Sequence, residues 1–299
     1  MTFLHPHHRF VPFLAVLGSV TALGIGTSWA KHWLFPLVGA QGTTAVRVGL
    51  SALVLLALWR PWRWHLQRGD ARAVALYGTA LGGMNLLFYL SLQTLPFGLA
   101  VAIEFAGPLA VAVYASRRAV DFVWVLLAVT GLALLLPWGG GDLNARALDP
   151  VGVAYALGAA LLWGTYIVFG KRVGHLHAGQ SVSLGLLVAA VVVVPVGAVH
   201  AGAALLSPAV LGVGLVVAVM SSAIPISLEM MALKRLPKEA FGIMISMEPA
   251  VAALLAMALL QEHLSADQWL AVGLIVAASM GTAATAGKRA APAQPQPLG

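Results

Sequence analysis

The chain has 299 residues, of which 60% are apolar and only 9% are charged, and its formal net charge is +7. A mean hydropathy of +0.91 lies well above the range of soluble domains, so the composition predicts an integral membrane protein. The basic balance does not indicate nucleic-acid binding, because the Lys and Arg residues lie in short segments between apolar stretches. The sequence contains no cysteine, which excludes a disulfide framework, a thiolate metal site and a thiol nucleophile.

The apolar stretches predict ten transmembrane helices, because a helix needs about 20 residues to cross the hydrocarbon core and open strands cannot satisfy their backbone in lipid. In chain order these predicted spans are Val11–Trp33, Thr43–Trp59, Ala73–Gln93, Phe97–Ala115, Val120–Trp138, Val151–Gly170, Ser181–Val199, Pro208–Met231, Glu239–Leu260 and Ala266–Ala286. Span 1 is expected to be retained rather than cleaved as a signal peptide, because it is too long and carries Lys31 at its far end.

The distribution of cations predicts the orientation of the spans. Fourteen of the 17 Lys and Arg residues fall on one side: Arg9, Arg60, Arg63, Arg68, Arg72, Arg117, Arg118, Lys171, Arg172, Lys234, Arg235, Lys238, Lys288 and Arg289. Positively charged segments stay in the cytoplasm, so both termini are predicted to be cytoplasmic. The other three cations are Lys31 and Arg47, at the outer ends of spans 1 and 2, and Arg146 in an outer loop.

An internal repeat indicates a duplicated fold. The signature Phe-Gly-x5-Glu occurs at 97–104 and again at 241–248. A Leu-x2-Leu-Pro pattern precedes each copy, at 92–96 and at 233–237. An aspartate follows each copy, at Asp121 and at Asp267. With five spans per half, the two halves must insert in opposite senses, an architecture typical of secondary transporters with alternating access.

The predicted organisation is an all-α membrane protein of two inverted five-helix repeats. It divides into a cytoplasmic tail at 1–10, repeats at 11–146 and 150–287, and a disordered tail at 288–299, which contains three prolines.

Three glutamates within apolar spans are candidate functional groups, because a charge in the bilayer costs about 2.5–3.5 kcal/mol on insertion scales. Glu104 lies roughly 10 Å below the outer surface, with Pro108 one turn later, and is expected to face a polar cavity. Glu248 has an alternative role in bracing a bend at Pro249. Glu229, near the cytoplasmic end of span 8, has alternative roles in snorkelling or at the helix end.

Lys31 and Arg47 are expected to lie close enough to Glu104 to meet it, although snorkelling to the outer headgroups would explain both cations. A cation beside Glu104 would keep it ionised, whereas an apolar surround would favour its protonated form and let it carry a proton.

Asn85, Tyr89 and Gln93 recur at i, i+4 and i+8 in span 3 and predict one polar face towards a cavity, with interhelical hydrogen bonding as the alternative. Trp163 and Tyr166 in span 6 are candidates for the cavity wall or for interfacial anchoring. No metal or nucleotide motif is present in the sequence, so no cofactor is predicted.

The run at 247–255 through Glu262 resembles the hallmark of the EamA repeat of the drug/metabolite transporter superfamily, over about residues 10–287. The stretches 82–102, 104–128 and 227–237 are similar to the bacterial amino-acid exporters of that superfamily. The resemblance implies ten helices, a bacterial inner-membrane location and export of small hydrophilic amino acids, such as threonine and homoserine, driven by protons.

Three functions stay open from the sequence: amino-acid export, export of another small metabolite on the same scaffold, and a membrane-embedded enzyme using two glutamates as acid and base. The expected partners are the amino-acid substrate, protons and the lipid bilayer, without nucleic acid, and the sequence leaves the oligomeric state open.

Overall fold

The computed structural model describes residues 7–63, 65–114, 119–135, 148–233 and 238–287. Within these ranges the backbone forms helices and turns without a strand, which confirms the predicted all-helical class. The helices are α1 His7–Trp29, α2 Phe35–Trp59, α3 Arg68–Ser91, α4 Phe97–Glu104, α5 Ala106–Tyr114, α6 Ala119–Leu135, α7 Pro150–Arg172, α8 Ala178–Ala201, α9 Pro208–Ala218, α10 Ile224–Leu233, α11 Lys238–Ile245, α12 Glu248–Leu259 and α13 Ala266–Gly287. The predicted tail at 288–299, residues 1–6 and the outer loop around Arg146 lie outside the described residues.

Among the described residues, six helices are long and apolar enough to cross a membrane, whereas the sequence predicts ten spans. Predicted spans 1 and 2 merge into one helical run, Val11–Trp59, of 49 residues. A straight helix of that length would measure about 74 Å, more than twice the roughly 30 Å hydrocarbon core. Gly39 interrupts the run with φ +67, a conformation that L side chains rarely adopt. Three further apolar helices, at 97–111, 122–134 and 243–259, are shorter than the other spans.

Two of the shorter spans are broken beside the repeated glutamates. α4 ends at Glu104 and α5 begins two residues later, while α12 begins at Glu248 after a two-residue turn that follows α11. Pro108 and Pro249 have no backbone N–H, so the carbonyl four residues before each has no helical donor. The prolines therefore explain why both helices are interrupted at the acidic residues.

Two further helices contain π-helical segments that carry polar residues. Ala30–Leu34 includes Lys31 and connects α1 to α2. Val219–Ala223 includes Ser221 and Ser222 and connects α9 to α10. A π segment inserts an extra residue into a turn and is frequent at functional sites.

The helices pack in a small set of neighbouring pairs. α2 packs against α8, α3 against α7, α6 against α13, α1 against α10 and α4 against α12. Gly98 allows the last contact, because a Cβ added there would lie 2.5 Å from the Cα of Ala253 in α12. This close packing brings the broken helices to the centre of the bundle.

Candidate functional site

A cavity of about 310 Å³ lies where the broken helices meet α1, α2, α3, α7 and α10. Seven of the ten predicted site residues line it: Arg47, Asn85, Glu104, Trp163, Tyr166, Glu229 and Glu248. The rings of Phe105 and Trp163 pack in a T-shaped arrangement with their centroids 4.9 Å apart, and this contact supports one wall. The structure therefore brings most of the predicted polar groups to one place inside the helical bundle.

Arg47 is the best-anchored charged group of the cavity. Its Nε donates to the hydroxyl of Ser221 at 2.8 Å, and a second nitrogen donates to the carbonyl of Ser221 at 3.4 Å. Its third nitrogen donates to the side-chain oxygen of Asn85, whose amide nitrogen donates to the Leu81 carbonyl at 2.9 Å. The guanidinium also lies over the Tyr89 ring, 5.4 Å from the centroid. Neutral partners thus hold the arginine in place from three directions.

Glu104 faces the same cavity but is not paired with Arg47. Its side chain is 6% exposed, and its Oε1 has no hydrogen-bond partner among the described residues. Basic and acidic side chains approach within 4.0 Å at two places in the described part of the chain, Lys31 with Glu262 and His175 with Asp70. A guanidinium and a carboxylate therefore line one cavity without a direct contact, which leaves room for a ligand bearing the opposite charges.

The remaining carboxylates of the cavity are held differently. The hydroxyl of Ser19 donates to Oε1 of Glu229 at 2.8 Å. Glu248 is half-buried at the start of α12, where the helix dipole favours a negative charge. Tyr166 accepts a hydrogen bond from the hydroxyl of Tyr77 at 3.0 Å, and the two rings stack with centroids 4.7 Å apart. Three carboxylates and one guanidinium consequently surround the same space.

A second cavity of about 320 Å³ adjoins the first. Six residues line both: Leu23, Arg47, Met84, Asn85, Tyr166 and Glu229. Within the described part of the chain, Glu104 and Glu248 line the first cavity but not the second, whereas Ser51 and Ser222 line the second but not the first. Arg47 and Asn85 therefore lie at the junction of the two cavities.

Three predicted site residues lie elsewhere. Tyr89 is fully buried behind Arg47 and contacts Phe35 and Phe88. Gln93 is exposed, because α3 ends at Ser91 and the expected i+8 position lies beyond the helix. These placements limit the predicted polar face of span 3 to Asn85 within the cavity and to the ring of Tyr89 beneath Arg47.

Lys31 does not meet Glu104 as the sequence suggested. Its ammonium donates to Oε1 of Glu262 at 2.7 Å and to the carbonyl of Leu95 at 3.1 Å. Oε2 of Glu262 accepts from the backbone N–H of Phe97 at 2.7 Å. The pair thus ties the end of α1 to the turn before α4 and to the segment after α12.

The sequence interpretation did not assign roles to several polar partners: Ser19, Ser51, Tyr77, Ser221 and Glu262. Ser51 follows Arg47 by four residues and lies on the same helix face, so helical periodicity could have predicted that it lies near Arg47. The other four contact residues more than 80 positions away in sequence, which no local pattern reports.

Charged and amide groups that line an internal cavity of an all-helical, multi-pass membrane protein are the features of a membrane transporter. The comparisons with known proteins agree with this class. The profile of the EamA-like transporter family matches residues 150–284. The threonine/homoserine exporter RhtA of Escherichia coli strain K12 is 50% identical over 279 residues, which cover 93% of both chains. RhtA of Salmonella typhimurium strain LT2 is 50% identical over 276 residues, 92% of each chain.

The chain belongs to the EamA-like transporter family, which confirms the resemblance drawn from its repeat. Because these relatives are exporters, the interpretation as a membrane-embedded enzyme is set aside. One protein of known crystal structure has a similar fold, with a TM-score of 0.54 and 18% identity, over 94% of this chain and 98% of the other.

Proposed function

We propose that this protein exports small polar amino acids, such as threonine and homoserine, across the bacterial inner membrane by proton-coupled alternating access. The observation that carries the proposal is the separation of Arg47 and Glu104 across one cavity. An amino acid is a zwitterion, so its carboxylate suits the guanidinium and its ammonium suits the carboxylate. The 50% identity to exporters named for threonine and homoserine supports this substrate class.

Arg47 has the donors that a carboxylate needs. A guanidinium carries five N–H groups, and the described contacts of Arg47 use three of them. One N–H remains on each terminal nitrogen, and two parallel N–H groups are the donor set of a bidentate carboxylate contact. Arg47 is therefore the proposed carboxylate site.

Glu104 is the proposed ammonium or coupling site. Its Oε1 has no partner among the described residues, so a bound ammonium or a proton would satisfy it. A proton that leaves when the ammonium arrives would make substrate export depend on the proton gradient. Glu229 and Glu248, which line the same cavity, offer further carboxylates for that exchange.

The thirteen α-helices of the described residues group into ten spans when the run Val11–Trp59 is divided at Gly39 and α4 with α5, α9 with α10, and α11 with α12 are joined. The helix contacts support two repeats, in which each span of the first half corresponds to the span five places later in the second half. If the two halves are exchanged, three contacting pairs are unchanged, because each joins corresponding spans: α2 with α8, α4 with α12 and α6 with α13. The contact of α3 with α7 becomes the contact of α10 with α1, which is also present. Such self-consistent pairing is expected of an inverted duplication.

Alternating access requires that one end of the pathway close while the other opens. In the orientation given by the positive-inside rule, the ion pair of Lys31 and Glu262 lies at the outer end. Tyr77 and Leu186 line the second cavity from the first halves of α3 and α8, which start at the cytoplasmic end in that orientation. The structure is proposed to represent an inward-facing state closed by the outer ion pair.

Counterflow in proteoliposomes tests the substrate proposal. Liposomes containing the purified protein, preloaded with unlabelled threonine, should accumulate labelled threonine, and homoserine should compete with it. An imposed pH gradient should drive net transport, and a protonophore should abolish it. A panel of other amino acids and metabolites identifies an alternative substrate, and liposomes without protein give the background. The proposal would be overturned if neither threonine nor homoserine were found among the compounds that compete for transport.

Reporter fusions test the proposed topology. Fusions after Arg68 and after Arg172 should report cytoplasm, and a fusion after Arg146 should report the outside, because the two repeats insert in opposite senses. A cytoplasmic signal at Arg146 would contradict the inverted repeat.

A further inference from the structure

The second cavity contains a hydroxyl pair that the proposed function does not use. Ser51 of α2 and Ser222 of the π segment after α9 lie with their Oγ atoms 2.8 Å apart. The residues are 2% and 8% exposed, and both line the second cavity. Two buried hydroxyls from different helices therefore meet at the wall of the second cavity.

These hydroxyls differ from most others in the bundle. The usual arrangement is a bond to the carbonyl four residues earlier on the same helix, as for Thr44, Ser183 and Thr282. In the described part of the chain, Ser51 and Ser222 instead bond to each other. Their mutual contact uses one of two O–H donors, so the pair retains one donor and acceptor lone pairs. It can both donate to and accept from a third hydroxyl.

The pair also lies at the right place relative to Arg47. Ser51 is four residues after Arg47 on the same face of α2, a rise of about 6 Å. Ser222 directly follows Ser221, which anchors the guanidinium. A ligand carboxylate held by Arg47 at the junction of the two cavities can direct its ammonium towards Glu104 and its side chain towards the serines.

We infer that Ser51 and Ser222 bind the side-chain hydroxyl of the substrate and select hydroxyl amino acids over their apolar isosteres. The inference rests on the proposed function, because it takes the amino-acid backbone to lie between Arg47 and Glu104. A site that hydrogen-bonds a substrate hydroxyl rejects an analogue lacking it, since the site's own polar groups are then left unpaired. The serines are accordingly specificity residues, and the charged pair supplies recognition common to all amino acids.

Isosteric competitors test this role. Valine has the shape of threonine without the hydroxyl, and norvaline stands in the same relation to homoserine. The measured quantity is the ratio of half-inhibitory concentrations, valine over threonine, in counterflow of labelled threonine. In a variant carrying both Ser51→Ala and Ser222→Ala, this ratio should fall by about tenfold or more. Ser183→Ala is the matched control, because the bonds of its hydroxyl among the described residues lie within α8 and it lies outside both cavities. Its ratio should equal that of the wild type.

The outcomes separate the two proposals. A wild-type protein that transports neither threonine nor homoserine overturns the proposed function and this inference with it. A wild-type protein that prefers threonine to valine, together with an unchanged ratio in the double variant, overturns the inference alone and leaves the serines as an interhelical contact.

Single substitutions decide the question if the double variant does not insert. Ser51→Ala and Ser222→Ala should each lower the ratio, whereas Ser51→Thr, which keeps a hydroxyl, should stay within about twofold of the wild type. Equal ratios in Ser51→Ala and Ser51→Thr would again refute the role. Thermal shifts of the purified variants with threonine and with valine give the same comparison without transport, because a ligand stabilises only the protein that binds it.

Discussion

Replacing Arg47 by lysine separates the charge of the proposed carboxylate site from its geometry. Lysine keeps the positive charge but has a single ammonium group, which cannot both hold the anchoring contacts and present two parallel N–H groups. The anchors are Ser221 and Asn85, which occupy three of the five guanidinium N–H groups. The variant should therefore lose at least one of the two hydrogen bonds to the substrate carboxylate.

The size of this loss follows from the chemistry of the contact. A hydrogen bond to a charged group is worth about 1.5–3 kcal/mol, which corresponds to about a 10- to 150-fold weaker affinity. Half-saturating threonine concentrations in counterflow measure it directly. Arg47→Gln, which removes the charge as well, should be weaker still.

Arg172→Lys is the control for this substitution. Its guanidinium lies over the Phe169 ring at 5.1 Å, at the end of α7 and outside both cavities, so the half-saturating concentration should stay at the wild-type value. An Arg47→Lys protein that is stable in the membrane and transports threonine with wild-type half-saturation would refute the carboxylate site.

Three other perturbations test the charged groups. Glu104→Gln should abolish export driven by a pH gradient without loss of membrane insertion. Retained counterflow in this variant would assign Glu104 to proton transfer, and lost counterflow would assign it to ammonium binding. Export at the wild-type rate and with the wild-type pH dependence would show that Glu104 is a structural residue. Glu262→Lys should abolish counterflow, because it places a second positive charge beside Lys31. The double variant that also carries Lys31→Glu should recover part of the counterflow, and failure to recover any would contradict a role of the ion pair in closure. The pKa of the Asp149 carboxyl is held below its usual value by a hydrogen bond from Thr94 and by the backbone N–H groups at the start of α7. These hydrogen bonds stabilise the fold above the pKa that Asp149 has in the unfolded chain, and the stabilisation is lost as the pH falls through the lower pKa of the folded protein. Asp149→Ala should therefore reduce the Tm in detergent at pH 7, and the difference from the wild type should disappear in acid. A difference that does not depend on pH would contradict the role of the Asp149 carboxylate at the start of α7.

The sequence predicted the polar groups of the cavity better than their contacts. Glu104 and Arg47 could be found because an ionisable group in an apolar span needs a polar surround, whichever helix supplies it. A bend at Pro249 was likewise expected, because its missing N–H group acts locally, whereas no break was predicted at Pro108. Such features depend on the residue and its immediate neighbours, so one sequence contains them.

Contacts between distant segments were not accessible in the same way. Lys31 was expected beside Glu104, but its partner Glu262 lies 231 positions away. Ser221 was missed for the same reason, because its contact with Arg47 joins residues 174 positions apart. Periodicity assigns a residue to a face of its own helix, but the neighbour across that face depends on how the helices pack.

The choice of partners for Arg47 has a consequence for transport. A guanidinium inside the helical bundle must be compensated, and a fixed carboxylate at contact distance would do so most directly. The described contacts of Arg47 are instead a hydroxyl, a backbone carbonyl and an amide oxygen, which orient the guanidinium without neutralising it. A permanent ion pair with Glu104 would compete with both charges of a zwitterion. In the proposed function, holding the two charges apart on α2 and α4 leaves each one incompletely compensated until a substrate joins them, and release of the substrate restores the uncompensated state that the next proton or amino acid would relieve.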